Sequence, residues 1–330
     1  MLSITSSRSI GLFLILAFPA FLLGCESADD RAAGNAVETA QQPPADERAP
    51  EKHVVEVNAF DHAFSAPTEI PSGWITFRLN NERAEEIHEL SLARIPKAHS
   101  YQTYREEVIG GWETIWDGLR AGEIGLDELD AAVGEHLPEW AFDVEYVNAR
   151  NLLSPGRTGE SILQLEPGTY AMECWVKNAA GDIHVSHGMI RELTVTDEDS
   201  GASKPQADLT LRLGSDGIVS DGPLGTGTTT IGLMLEADED DGIVHGDVHL
   251  LRMTDETDLA EVARWMDWYD VERGLRAPAP ADFLGGYNAY GSMPPDGRAW
   301  FTVTIDEPGQ YAWIIEGDPE DEPWKVFAVE

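Results

Sequence analysis

The segment Pro167-Gly168-Thr169-Tyr170-Ala171-Met172-Glu173-Cys174 decides the fold of this 330-residue chain. Pro and Gly open a short run that begins with β-branched Thr169 and aromatic Tyr170, which is typical of a β-strand entered through a turn. The run ends at Cys174, and His184 and Met189 follow it closely in the sequence. It therefore predicts a strand that ends in a cluster of thiol, imidazole and thioether groups.

These ligand types, together with a second imidazole, hold copper in electron-transfer sites. The sequence offers the second imidazole at His88, at the start of another predicted strand. Because side chains alternate along a strand, Cys174 shares a face with Tyr170 and Met172, and His88 shares one with Leu90. Both ligand candidates are therefore expected on the core-facing side of their strands.

The order of these features resembles that of the cupredoxins, the blue-copper family. It consists of a histidine after an Asn-containing strand, a Gly-Thr-Tyr strand ending in Cys, a loop with His, and a Met before the last strand. The resemblance covers residues 53–197 and implies a Greek-key β-sandwich with one type-1 copper ion. The four residues that it implies as metal ligands are His88, Cys174, His184 and Met189.

His187 is the alternative to His184 as the histidine of the ligand loop. Only Gly188 separates His187 from Met189, so a site that used both would need a much tighter corner. We therefore favour His184.

The residues beside Cys174 bear on catalysis. Copper oxidases and nitrite reductases of the family place a histidine next to this cysteine, whereas here the neighbours are Glu173 and Trp175. Three further histidines, at positions 62, 99 and 136, are interpreted as solvated side chains. From these features we expect that the protein is not an enzyme.

The second half of the chain repeats the first in a degenerate form. Ile305–Trp313 resembles Leu165–Met172, and aligning Tyr311 with Tyr170 places Ile315 where the first half has Cys174. A looser match aligns His249 with His88. Since neither His nor Met follows Ile315, the second half is predicted to bind no metal.

The predicted fold is all-β, with two cupredoxin-like Greek-key β-sandwiches in tandem, each with a helical insertion. Apolar residues recur at helical spacing between residues 98 and 149, and again over Asp258–Met266. The predicted segments are a lipoprotein signal (1–25), a flexible tether (26–52), a copper-binding domain (53–197), a linker (198–206) and a degenerate metal-free domain (207–330).

The N-terminus predicts export and lipidation. Arg8 precedes the apolar run Ile10–Leu23. Gly24 and Cys25 follow that run and complete the motif Leu22-Leu23-Gly24-Cys25. This pattern resembles bacterial lipoprotein signals, which implies an acylated Cys25 and membrane anchoring through the lipid. Glu26 follows the cysteine, and the default destination is then the outer membrane, facing the periplasm or the cell surface. The alternative is an ordinary cleaved signal peptide.

The formal net charge of −38 bears on partners. Such a charge disfavours binding to nucleic acid or to anionic lipid surfaces. It suits solubility in a salty medium, or a basic redox partner protein. The leading functional hypothesis is a membrane-tethered carrier of single electrons; the alternatives are copper delivery or buffering, and a metal-free β-sandwich interaction module.

Overall fold

The computed structural model describes residues 52–81, 85–147, 151–214, 216–235, 246–288 and 298–330. Residues 1–51, with the predicted signal, Cys25 and nearly all of the tether, lie outside them. Residues Pro50–Glu330 form one compact unit. Within the described ranges, no helix has both the length and the apolar character needed to cross a bilayer.

The first half is a two-layered β-sandwich. Its strands are β1 (Val54–Phe60), β2 (Ala63–Ser65), β3 (Glu69–Asn80), β4 (Ser91–Ile95), β5 (Glu145–Tyr146), β6 (Thr158–Leu165), β7 (Gly168–Glu173) and β8 (Ile190–Asp199). The long strand β3 belongs to both layers, because its first residues pair with β8 and its later residues pair with β1 and β6. Strands β8, β7, β4 and β5 continue the second layer. The apolar faces of both layers enclose one core.

A helical insertion covers the outer face of β4 and β7. It comprises α1 (Tyr101–Thr103), a π-helical segment (Tyr104–Ile109), α2 (Gly110–Ala121), a 3₁₀ turn (Leu126–Glu128), α3 (Leu129–His136) and a second 3₁₀ turn (Glu139–Asp143). Gly122 ends α2 with a φ of 69°, a left-handed conformation that glycine adopts at little cost. The insertion packs on Ala93, Ala171 and Trp175 and forms a separate core with them. Both faces of β7 are therefore buried.

The second half is built in the same way. Its elements are β9 (Leu209–Gly214), β10 (Gly217–Ser220), β11 (Gly227–Leu235), β12 (Asp247–Arg252), α4 (Leu259–Met266), β13 (Asp282–Asn288), β14 (Arg298–Ile305), β15 (Gly309–Ile314), a 3₁₀ turn (Pro319–Asp321) and β16 (Trp324–Val329). The side chain of Asp258 caps α4 by accepting from the backbone of Ala260 and Glu261. β14 pairs with β6, so one sheet runs through both halves.

The predicted all-β fold of two sandwiches, each with a helical insertion, is confirmed. The boundaries at 53–197, 198–206 and 207–330 stay predictions. The last strand of the first half, β8, extends to Asp199.

Two tyrosines mark the duplication. The Tyr170 hydroxyl donates to the backbone oxygen of Glu166 at 2.7 Å, and the Tyr311 hydroxyl donates to that of Glu307 at 2.7 Å. Each tyrosine lies near the start of the strand after a Pro-Gly turn. The same local hydrogen bond is therefore found at the entrance to β7 and at the entrance to β15.

The pairing of β12 with β15 corrects the alignment of His249 with His88 that was made from the sequence. With Tyr311 on Tyr170, Ile314 is the counterpart of Glu173, and the partner of Ile314 across the ladder is His249. The partner of Glu173 is Ser91. His249 is therefore the counterpart of Ser91, and the sequence match was wrong in register.

Two predicted strands also differ in length from the observed ones. Strands were expected over Ile87–Ala93 and Thr169–Val176, but β4 begins at Ser91 and β7 ends at Glu173. His88 instead exchanges two backbone hydrogen bonds with Leu153, of 3.1 and 2.9 Å. The chain leaves the ladder here because the backbone of His88 is bonded to a different segment.

The duplication gives a paired prediction. Tyr170→Phe and Tyr311→Phe each remove one hydroxyl hydrogen bond from the same place in the two halves. Each should lower the free energy of unfolding by about 1 kcal/mol, measured by chemical denaturation. A cost confined to one of the two variants would contradict the equivalence.

Candidate metal centre

Three donor atoms meet at the end of the first sandwich. The Cys174 Sγ lies 3.7 Å from the His88 Nδ1 and 3.6 Å from the His184 Nδ1. The two Nδ1 atoms are 3.2 Å apart. All three residues are fully buried, and together they form a group with the spacing of metal ligands.

The loop from β7 to β8 is held closed by its own backbone. Cys174, directly after β7, donates its N–H to the Met189 oxygen at 3.2 Å, and Met189 donates to the His184 oxygen at 3.0 Å. His184 in turn donates to the Val176 oxygen at 2.9 Å. Met189 is fully buried and directly precedes β8. The backbone of all three predicted loop ligands is therefore tied into one network.

His88 is positioned by a second set of bonds. The Asn81 side chain donates to the backbone oxygen of Glu86 at 2.9 Å and to that of Leu153 at 2.8 Å. Leu153 is also the backbone partner of His88. Asn81 directly follows β3, so its buried amide fixes the segment before His88 against the end of that strand.

The donor spacing fits a metal ion. An ion with three-fold or tetrahedral angles and bonds of about 2.0 Å to nitrogen and about 2.3 Å to sulfur needs N–N distances of roughly 3.3–3.5 Å and N–S distances of roughly 3.5–3.7 Å. The observed separations of 3.2, 3.6 and 3.7 Å match these values closely. Two imidazoles, one thiol and a nearby thioether are the donor set of a type-1 copper site.

Both imidazoles are electrically neutral at neutral pH. Burial, and to a lesser extent the neighbouring His62, lowers the pKa of His88 to about 4. Burial lowers the pKa of His184 to about 2, with further contributions from His88, His62 and His187. A metal ligand must offer an unprotonated nitrogen, so the site keeps its imidazoles in the binding form.

An outer carboxylate orients His184. The Glu86 Oε2 lies 3.0 Å from the His184 Nε2. An Nε2–H that donates to Glu86 leaves the lone pair on Nδ1, which is the atom facing Cys174. This carboxylate–histidine pair therefore selects the tautomer that a metal needs.

His62 completes the outer arrangement. Its ring centroid is 4.6 Å from that of His184, and its Nε2 is 3.5 Å from Glu86. It lies in the two-residue turn between β1 and β2, where Asp61 adopts a φ of 45°. The interpretation of His62 as a solvated side chain was therefore incomplete, because its side chain is only one-third exposed. Glu86 could have been suspected from its place two residues before His88, but no local signal links residue 62 to residue 184.

The other histidines lie apart from the three donors. His187 is 45% exposed and points to Asp182, with 3.4 Å between its Nε2 and the carboxylate. His99 stacks on Trp140 at 4.0 Å, and His136 ends α3. The structure thus brings His88, Cys174 and His184 together, with Met189 beside them; their binding of a metal stays a prediction.

Comparisons with known proteins find distant structural similarity. No family model matches the sequence, and no curated protein is similar to it. Among solved structures, reduced auracyanin from Roseiflexus castenholzii is 18% identical, with a TM-score of 0.26, and the match covers 45% of this chain and 99% of that one. Blue copper oxidase from Nitrosomonas europaea is 14% identical over 85% of this chain and 86% of that one, with a TM-score of 0.23. Copper-containing nitrite reductase from Thermus scotoductus SA-01 is 11% identical over 84% and 61%, with a TM-score of 0.20.

The chain has a cupredoxin-like fold. The duplicated sandwiches and the place of the donor cluster at a strand end carry this assignment, and the resemblance seen in the sequence is confirmed. One expectation is corrected: the protein was expected not to be an enzyme, but its structural neighbours include a multicopper oxidase, a laccase and a nitrite reductase, which are enzymes.

The two loop histidines can be told apart by substitution. His184→Ala removes a donor that faces Cys174 and should abolish or grossly alter the visible spectrum of the copper-loaded protein. His187→Ala removes an exposed side chain and should leave that spectrum unchanged, which makes it the matched control. The opposite pattern would show that His187 is the ligand.

Proposed function

We propose that this protein is a membrane-tethered type-1 copper protein that carries single electrons in the periplasm. The observation that carries the proposal is the triangle of buried donors, Cys174 Sγ and the Nδ1 atoms of His88 and His184, at metal-ligand spacing. Met189 would supply the weak axial thioether.

The protein's part in the chemistry is to hold the donors still. A bound copper ion supplies the one-electron change between Cu(II) and Cu(I). Cys174 as thiolate favours the reduced ion, and the neutral imidazoles of His88 and His184 serve both oxidation states. Backbone hydrogen bonds link Cys174, His184 and Met189, and the Asn81 side chain holds the segment before His88 in place. A donor set that cannot move needs little rearrangement when its charge changes.

The rim of the site and the overall charge suggest where a partner would dock. The His62 ring packs on that of His184 and lies 5.6 Å from that of His187, and the side chains of His62 and His187 are 33% and 45% exposed. This is the part of the site that approaches the surface. With a net charge of −38, the favoured partner is a basic redox protein.

Copper delivery or buffering is the second candidate, because it can use the same ligands. It requires donors that exchange their metal readily. The complete burial of His88, Cys174 and His184 argues against fast exchange and favours the electron carrier. A metal-free interaction module would not need the neutral, correctly oriented imidazoles that the site maintains.

The test is the electronic spectrum and voltammetry of purified protein loaded with Cu(II). A thiolate–copper bond should give intense absorption near roughly 600 nm and a reversible one-electron wave. Cys174→Ser should lose both while keeping its circular-dichroism spectrum. A colourless copper-loaded wild type would refute the site, and rapid loss of copper to a mild chelator would favour delivery.

The anchor is tested separately. Lipid on Cys25 should place the protein in the outer-membrane fraction and make its processing sensitive to globomycin. Cys25→Ala should release the chain into the soluble fraction without changing copper binding. If the Cys25→Ala protein still fractionated with membranes, the proposed lipid anchor would be wrong.

A further inference from the structure

A second feature lies between the two halves, away from the three donors. It is a cavity of about 110 Å³. An engineered cavity of about 150 Å³ in another protein binds benzene, and a single water needs only about 10–15 Å³. The cavity between the halves is therefore large enough for a small organic molecule.

Tryptophan rings form much of its wall. Trp112 of α2, Trp175 after β7 and Trp268 of the second half all line the cavity. The three ring centroids are 6.3 Å apart in every pair, with interplanar angles of 83°, 82° and 67°. The rings therefore stand edge to face and present π-faces in different directions. Tyr269, which also lines the cavity, packs on Trp268 at 5.2 Å.

The other polar lining residues are mainly acidic, but they also include Tyr146, Asn288 and His249, whose Nε2 lies 3.8 Å from the Asp247 Oδ2. Glu89, Asp247 and Glu316 line the cavity, and the described lining residues include neither lysine nor arginine. Asp247 is 4% exposed and accepts from the Glu316 backbone N–H at 2.9 Å. Burial raises the pKa of Asp247 to about 7, so its ionised form is costly there. A positive charge in the cavity would offset that cost.

One of these rings, Trp268, already packs against an amine of the protein itself, together with its neighbour Trp116. The Lys177 Nζ lies 4.0 Å from the Trp116 ring centroid and 4.3 Å from that of Trp268. Lys177 is almost fully buried, and its ammonium donates to the Gly274 backbone oxygen at 2.7 Å. Burial lowers the pKa of Lys177 to about 7, and the π-face of Trp268 favours the charged form of this amine.

We propose that the cavity binds a small organic cation with a quaternary ammonium group. Aromatic faces attract such a group through their quadrupoles, and quaternary ammonium ions are held in aromatic cages elsewhere. The carboxylates of Glu89 and Glu316 add charge complementarity, and a bound cation would favour the ionised form of Asp247. Glu89 and Trp175 follow His88 and Cys174 in the chain, so the cavity adjoins the candidate metal centre, although binding there does not depend on copper.

The test uses the full chain without copper and choline as the probe. Choline chloride is titrated at constant ionic strength against sodium chloride, followed by tryptophan fluorescence and by calorimetry. One saturable site per chain is expected. The neutral carbon isostere, with a tert-butyl group in place of the trimethylammonium group, should bind at least tenfold more weakly. Equal binding of the isostere, or no saturable signal with choline, would overturn the proposal.

Substitutions then locate the site. Trp112→Leu should weaken choline binding at least tenfold, whereas Trp74→Leu should not change it, because Trp74 packs on Trp300 outside the cavity. Glu316→Gln should weaken binding severalfold. Glu320→Gln removes the same charge from an exposed position and should have no effect. If Trp112→Leu and Glu316→Gln both bound choline like the wild type, the ion would not lie in this cavity.

Discussion

The burial of three mutually facing donor atoms is the constraint on which the first half depends. His88, Cys174 and His184 are withdrawn from water, and burial holds the pKa of each imidazole far below its ordinary value. The Nε2 of His88 is buried with no hydrogen-bond partner in the described part of the chain. Such a group is costly unless something compensates for it. The surrounding bonds of Asn81, Leu153 and Met189 are what keep this unfavourable cluster assembled.

The second half repeats the strand arrangement of the first. Tyr311 repeats the hydrogen bond of Tyr170, and β12 pairs with β15 as β4 pairs with β7. Where the first half has Cys174, the second has Ile315. Within the described residues the second half also supports the first: β14 extends a sheet of the first half through β6, and the Gly274 backbone oxygen accepts a hydrogen bond from the ammonium of Lys177.

Much of this could be predicted from the sequence because strand alternation and turn residues are local signals. The run to Cys174, the helical spacing after Ala98 and the repeat of the Pro-Gly-Tyr turn all indicated the observed elements. The position of His249 could not be read in this way, because a ladder register depends on pairing across the sheet. Its true counterpart, Ser91, shares no chemistry with it.

The outer arrangement was missed for a related physical reason. Glu86 and His62 reach His184 only after a hairpin turn and a loop bring three distant segments together. The cavity between the halves likewise joins Trp112, Trp175 and Trp268 from separate elements. The sequence pattern of any one of these segments contains no information about such contacts. The donor residues could be identified because their order in the sequence is a recognisable pattern, whereas no such pattern marks Glu86, His62 or the tryptophans of the cavity.

X-ray absorption at the copper edge tests the central claim most directly, because it counts the donor atoms around the metal. For protein loaded with one equivalent of copper, the account predicts two nitrogen donors at about 2.0 Å and one sulfur at a short distance of about 2.2 Å. The sulfur contribution should disappear in Cys174→Ser. A first shell made only of nitrogen and oxygen in the wild type would show that Cys174 does not bind the metal and would contradict the account.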